Sequence, residues 1–235
     1  MSDGIYVGMA GAAARAAQLE AVSDNLANAQ TPGFKASRPA FQSFLAGAGN
    51  DKILSAAVAT GIDRRAGATT PTERELDIVP PDDTFLAVTT NSGQVAYTRN
   101  GHVEVGSDGS LMVGGNRLLD DRGEPLTVPV ESQVRIDENG DVFADKAPVG
   151  RLGIFNIDGP LDRVGPTLLG AGAGAQVTAV DEPKLRLGAL ELGNAPALEA
   201  TIQLINTQRN FDTAMQAIQT YRKLDERAIE VGRLR

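Results

Sequence analysis

Apolar residues recur at helical spacing at both ends of this chain and alternate with polar ones in between. From Ile5 the sequence places Met9, Ala12, Ala16, Leu19 and Leu26 in steps of three, four or seven, with Val22 beside the row. Such steps put the side chains on one stripe of an α-helix. Thr31-Pro32-Gly33 ends it, because proline disfavours the α region at the residue before it and glycine permits a turn. The predicted helix is about 25 residues, or ~40 Å, long. Its row is narrow and rich in alanine, which suits a coiled-coil seam with a closely approaching partner better than a helix lying on its own globular core.

A second helix is predicted after Asn194-Ala195-Pro196, with proline in the first turn and Glu199 placed to suit the helix dipole. Leu198, Ile202 and Ile205 start its stripe, which resumes at Phe211, Met215, Ile218, Tyr221, Leu224, Ala228 and Val231. No Gly or Pro interrupts 197–231, so the helix is some ~50 Å long. A helix of that length with one apolar stripe needs a partner, and the comparable helix is at the other terminus.

Residues 36–75 lack sustained periodicity, are rich in Ala and Thr, and read as an extended linker. From Leu76 the period becomes two. Phe85–Val88 and Gln94–Tyr97 flank the turn signal Asn91-Ser92-Gly93. Val103 and Val105, Leu111 and Val113, Leu118-Leu119, Val128-Pro129-Val130, Val134–Ile136 and Leu152–Phe155 follow, separated by Gly-containing turns. Short strands at near-regular spacing indicate an antiparallel β domain over 76–185. The expected fold is therefore α+β: terminal helical segments 1–35 and 190–235 pairing as a coiled coil, a linker at 36–75, and a central antiparallel β domain.

Composition narrows the function. The 235 residues carry 30 Asp+Glu against 22 Lys+Arg, a formal net charge of −8, which argues against nucleic acid as a partner. Cysteine is absent and His102 is the one histidine, which removes disulfides, thiolate metal sites and most triad chemistry. Aromatic residues are scarce, and no stretch approaches the ~20 apolar residues of a membrane span. A basic, apolar leader of the cleaved secretory kind is not expected from Met1-Ser2-Asp3-Gly4 onward.

Several local patterns imitate chemistry. Asp137-Glu138-Asn139-Gly140-Asp141 resembles the start of a calcium loop, but an EF-hand needs Gly at its sixth position and Glu at its twelfth, where Val142 and Pro148 stand. Gly170-Ala171-Gly172-Ala173-Gly174 lacks the strand–helix context of a dinucleotide loop and reads as a flexible connection. Asp82/Asp83 and Asp120/Asp121 are sequence neighbours, which extended backbone points to opposite faces. Asn100-Gly101 reads as a hairpin turn, with His102 exposed or half-packed beside it. Asn25 and Asn28 share a helix face, and their amides suit either the pinning of a neighbouring strand or subunit, or simple C-terminal capping. No catalytic centre, metal site or cofactor is expected.

The run Asn25-Leu26-Ala27-Asn28 followed by Thr31-Pro32-Gly33-Phe34-Lys35 resembles the N-terminal motif of the flagellar rod and hook axial proteins. Tyr97-Thr98-Arg99-Asn100-Gly101, Asp108-Gly109-Ser110-Leu111 and Val149-Gly150-Arg151-Leu152 are similar to that family's β region, and Arg209-Asn210-Phe211 to its C-terminal helix. Within the family the chain looks most like the proximal rod members. It departs from the distal and hook ones at Pro80-Pro81-Asp82-Asp83-Thr84-Phe85, where they usually have Gly-x-Gly-Phe-Phe, and from the family's usual pattern at Leu190–Ala195, where that pattern is Leu-Glu-x-Ser-Asn-Val.

The resemblance implies a non-enzymatic subunit of the flagellar basal body, in a rod that spans the periplasm and transmits torque. It also implies export through the flagellar type III apparatus, and copies of the chain and other axial proteins as partners. The candidate assembly interface comprises Ile5, Met9, Ala12, Ala16, Leu19, Asn25, Leu26, Asn28, Pro32, Gly33 and Phe34, with Leu198, Ile202, Ile205, Arg209, Phe211, Met215 and Ile218. A distal-rod or hook subunit is the alternative of the same class. A carbohydrate-active or carbohydrate-binding β protein is the alternative of a different one.

Overall fold

The computed structural model describes residues 2–45 and 54–233. Its first helix, α1, runs Ser2–Ala27 and its second, α2, runs Ala197–Arg233, with all the strands between them. This is the expected α+β order. The chain forms two compact units, one made of Met1–Ala27, Ser37–Gly61 and Pro196–Arg235, the other of Asn28–Ala36 and Ile62–Ala195.

In the first unit α1 packs against α2 and against the strand Ser37–Leu45. Pro196 opens α2 by accepting the Ala200 N–H at 2.9 Å, and Glu199 stands in the first turn. Ser37–Leu45 pairs with Leu54–Ile62 in a two-stranded sheet, inside the 36–75 stretch read as a linker. The backbone there is extended, as a linker's would be. The pairing escapes the sequence because small residues such as Ala56, Ala57 and Ala59 give no alternating signal.

The second unit is built on a nine-stranded antiparallel sheet. One path through it runs Leu161–Arg163, Leu169–Ala171, Val95–Thr98, Thr84–Thr89, Asn116–Leu118, Leu111–Val113 and Val103–Val105. Ile154–Asp158 joins it by pairing with Thr84–Thr89 on one side and Gln176–Ala179 on the other. The predicted turns seat as read. Gly93 N–H bonds to Thr90 O across the first hairpin, and Gly114-Gly115 joins two strands whose Val113 and Asn116 face each other. A three-stranded sheet of Val134–Ile136, Asp141–Ala144 and Ala147–Arg151 packs its inner residues into the same apolar cluster, with Leu86, Val88, Leu111, Leu118, Val142 and Leu152 at its centre.

Three local expectations are corrected. Val128-Pro129-Val130 forms no strand: Pro129 has no N–H to give a ladder, and its carbonyl instead accepts Ser132 N–H in a turn. Asn100-Gly101 is not a hairpin turn. Asn100 bonds locally to Thr98 Oγ1 and to the His102 N–H, and Gly101 lies so close to the neighbouring chain that a Cβ there would sit 1.6 Å from Ile78 O. Gly170 belongs to the strand Leu169–Ala171 rather than to a free connection.

The imitations of chemistry resolve into turn-building. Asp137 Oδ1 accepts the N–H groups of Asn139 and Asp141, and Asp120 Oδ1 those of Arg122 and Glu124. His102 is half-buried, with Nδ1 2.8 Å from the buried Asp77 carboxylate. Among the described residues no helix is long and apolar enough to cross a membrane.

Candidate functional site

The helix pair uses one apolar face of α2 and leaves another uncovered. Ala200, Thr207 and Ile218 are buried on α2, with Leu204, Phe211 and Ala214 half-buried between them. Their steps of four and three trace a single stripe. Small residues make the approach close: a Cβ added at Gly8 of α1 would lie 3.2 Å from Ile218 Cγ1. On α1, Ala12, Ala14, Val22 and Asn25 are buried and Leu19 and Leu26 half-buried, whereas Met9 and Ala16 are exposed. Ile5 lies in the helix, but its side chain falls outside those described.

The start of the expected α2 stripe is on the other side. Leu198 is 77% exposed, Ile202 53% and Ile205 47%, and Met215 and Arg209 are exposed as well. At ~100° per residue, Leu198, Ile202 and Ile205 stand about half a turn around the helix from Ala200 and Thr207. The sequence shows one long row; the structure resolves it into a row that meets α1 and a row that meets solvent.

The exit of α1 is polar and specific. The Asn25 side chain donates to Ser37 O at 2.9 Å and accepts the Ser37 N–H at 2.8 Å, so it pins the start of a strand, the first of its two possible roles. Asn28 takes the capping role: its carbonyl accepts the Thr31 N–H at 3.0 Å and its Oδ1 the Thr31 hydroxyl at 3.2 Å. Pro32 is half-buried and Gly33 buried with φ +71°. Phe34 is buried with Ala36 and Ala195, under the Arg163 guanidinium 4.9 Å from its ring centroid.

The next residue, Lys35, opens a cluster that the local patterns do not show. Its ammonium donates to Arg65 O and Glu191 Oε1, each at 2.7 Å, and to Arg64 O at 3.4 Å. Glu191 Oε1 also accepts the Gly67 N–H at 2.9 Å, while Oε2 accepts Arg99 Nε at 2.9 Å and Arg99 Nη2. The remaining Arg99 hydrogens go to the carbonyls of Pro80, Pro81 and Thr84. All three charged side chains are 1% exposed.

Burial alone would push the Glu191 carboxyl up. The Arg99 charge, the Gly67 N–H and the Lys35 ammonium outweigh it and hold the group below its ordinary value. Burial pulls Lys35 down, and the nearby Arg99 charge adds to that; its bond to Glu191 offsets part of the loss and leaves it below the ordinary lysine value. One carboxylate thus serves two cations.

Each member of the cluster comes from a different motif: Lys35 from the N-terminal run, Arg99 from Tyr97–Gly101, Glu191 from Leu190–Ala195. Comparison with known families divides the chain the same way. Residues 5–35 match the model described as flagella basal body rod protein, residues 82–144 the flagellar hook protein FlgE/F/G D1 domain, and residues 186–231 the flagellar basal body rod FlgEFG protein C-terminal.

Among curated proteins, the flagellar basal-body rod protein FlgF of Salmonella typhimurium is 32% identical over 97% of both chains. The chain belongs to the FlgF-type flagellar basal-body rod protein family. The FlgF of Escherichia coli is 31% identical over 93% of each chain, and the rod protein FlgG of Bacillus subtilis 26% over 97% of this chain and 98% of its own. The family is one of structural rod subunits, which disfavours the carbohydrate-active reading.

Proposed function

We propose that this rod-family subunit polymerises through its terminal helices, which pair as a coiled coil, into the helical shaft of the flagellar basal body that transmits torque. The observation that carries this reading is the uncovered row Leu198, Ile202 and Ile205, on the side of α2 away from the row buried in the helix pair. Large aliphatic side chains in helical register facing water call for a partner surface. A shaft follows when identical subunits repeat a contact that does not close on itself.

The division of labour proposed is assembly through 1–35 and 190–235, an extended connection at 36–75 and a β domain at 76–185. The candidate assembly residues divide between a row that holds the helix pair (Ala12, Leu19, Leu26, Phe211, Ile218) and exposed positions that meet neighbours (Met9, Ala16, Leu198, Ile202, Ile205, Arg209, Met215). Asn25, Asn28, Pro32, Gly33 and Phe34 set the exit of the first helix. Partners are other copies of the chain and other rod axial proteins, and the route to the rod is the flagellar type III export apparatus. Family membership supports both.

The test is quantitative mass spectrometry of purified hook–basal bodies. A few copies per particle support the proximal-rod assignment, which the 32% and 31% identities to two FlgF proteins favour. Many copies would move the chain to the distal rod or hook, and absence from the particle would overturn the reading.

A further inference from the structure

We propose that residues 28–36 form a strap across the β unit that the C-terminal segment 189–195 locks in place, with the Glu191 carboxylate as the catch. The β unit is complete without the strap: its main apolar cluster draws no residue from 28–36. The strap's own apolar contact is the small group Phe34, Ala36 and Ala195, and Ala195 follows directly on the strand that carries Glu191.

Most of the strap's backbone pairing goes to the same segment. Gly33 N–H donates to Glu191 O at 2.7 Å, Asn194 N–H to Phe34 O at 3.3 Å, and Ala36 N–H to Asn194 Oδ1 at 2.7 Å. Asn194 Nδ2 then ties the same point to the carbonyls of Asp63 and Arg65. The further holds are Asp63 N–H on Ala36 O, the Lys35 ammonium on the carbonyls of Arg64 and Arg65, and Arg163 on Lys35 O and the Phe34 ring.

Charge sets the order of closing. The segment 189–195 has a seat of its own: Ala189–Glu191 pairs with Thr69–Pro71, Leu192 N–H bonds to Ala68 O, and Glu191 neutralises Arg99. Seating Lys35 afterwards adds a second buried cation to a pair that is already neutral. That step is worthwhile only while the carboxylate is charged. Releasing the strap leaves Arg99 and Glu191 paired, whereas releasing 189–195 strands two cations. The strap is therefore the last part of the unit to close and the first to open. Because Asn28 follows the last residue of α1, the catch controls whether the chain leaving that helix is held or free.

Hydrogen exchange on the full-length protein tests this. In the native chain, amides of 28–36 should exchange at least about tenfold faster than those of Thr84–Thr89 and Leu111–Val113, through a local opening. Glu191→Gln should speed 28–36 by a further tenfold or so; those core strands quicken as well, because the variant also strips the buried Arg99 of its partner, but they remain slower than the strap. Asn194→Ala, which leaves the charges intact, should loosen the same residues if Glu191→Gln fails to fold. A strap as slow as the core, a core that opens together with the strap, or a strap indifferent to both substitutions would each overturn the proposal.

Discussion

Ile205→Asp separates the two faces of α2. Ile205 is 47% exposed, against 9% for Ile218 on the face toward α1. Within the helix pair the change touches a side chain already half in water, and Ile and Asp differ little in helix propensity, so the isolated chain should lose no more than about 1 kcal/mol. In the proposed shaft the same position is covered. Burying the exposed half of an isoleucine contributes roughly 1 kcal/mol, and an aspartate enclosed there without a partner adds about 2 kcal/mol or more of desolvation. About 3 kcal/mol per contact is a loss of roughly a hundredfold in affinity, repeated at every neighbour. The assay is the amount of variant in purified hook–basal bodies, with the helical circular dichroism and melting of the isolated chain alongside. Ile218→Asp is the counterpart and should damage the helix pair itself. Wild-type incorporation of Ile205→Asp, or loss of helix in its isolated chain, would refute the assignment of this face to assembly.

Gly33→Ala should lower the melting temperature by roughly 6–12 °C, since about 3 kcal/mol is the least expected when a side chain is forced into the left-handed region against backbone; its Cβ would fall 2.0 Å from Asn100 N. Gly93→Ala has a similar φ of +80° with nothing within 4 Å, so calorimetry should show only the backbone strain of about 1 kcal/mol. Asn25→Asp keeps an acceptor for the Ser37 N–H but turns a carboxylate toward Ser37 O, and chemical denaturation should show a loss of about 1–3 kcal/mol. Glu191 titrates below its ordinary value of 4.5 when folded, so its stabilisation is complete above that pH and is lost as the pH falls through the lower folded value. Urea midpoints measured from pH 7 down to pH 3 should therefore decline in the acid limb, and Glu191→Gln should flatten that limb; an unchanged slope in the variant would assign it to other carboxylates.

What the sequence reveals of this protein is what is local. Proline, glycine and apolar spacing mark where both helices run and where most hairpins turn, because those signals act over a few residues. The seam of the helix pair is less legible. Periodicity says that α2 has apolar rows; which row α1 takes depends on where small residues allow close approach, as at Gly8 against Ile218, a choice made between two elements. Asn100-Gly101 misleads for the same kind of reason: the dipeptide fits a turn, but tertiary contact with Ile78 uses its lack of a side chain for close passage.

The charged cluster lies furthest from local reading, since Lys35 and Glu191 are 156 residues apart and Arg99 and Glu191 are 92. A clue is nevertheless present. Lys35 follows buried Phe34, Arg99 sits between buried Thr98 and buried Gly101 two residues on, and Glu191 ends the apolar run Ala189-Leu190. A charge set among residues that the fold must bury has to meet an opposite charge, because an unpaired one is too costly to enclose. Two cations and one anion in that situation, each in a separate motif of one family, imply a common meeting point even though spacing cannot say where it lies. The motifs that identify the rod family are thus, in large part, the three walls of a single buried junction that joins the chain leaving the first helix to the chain entering the last.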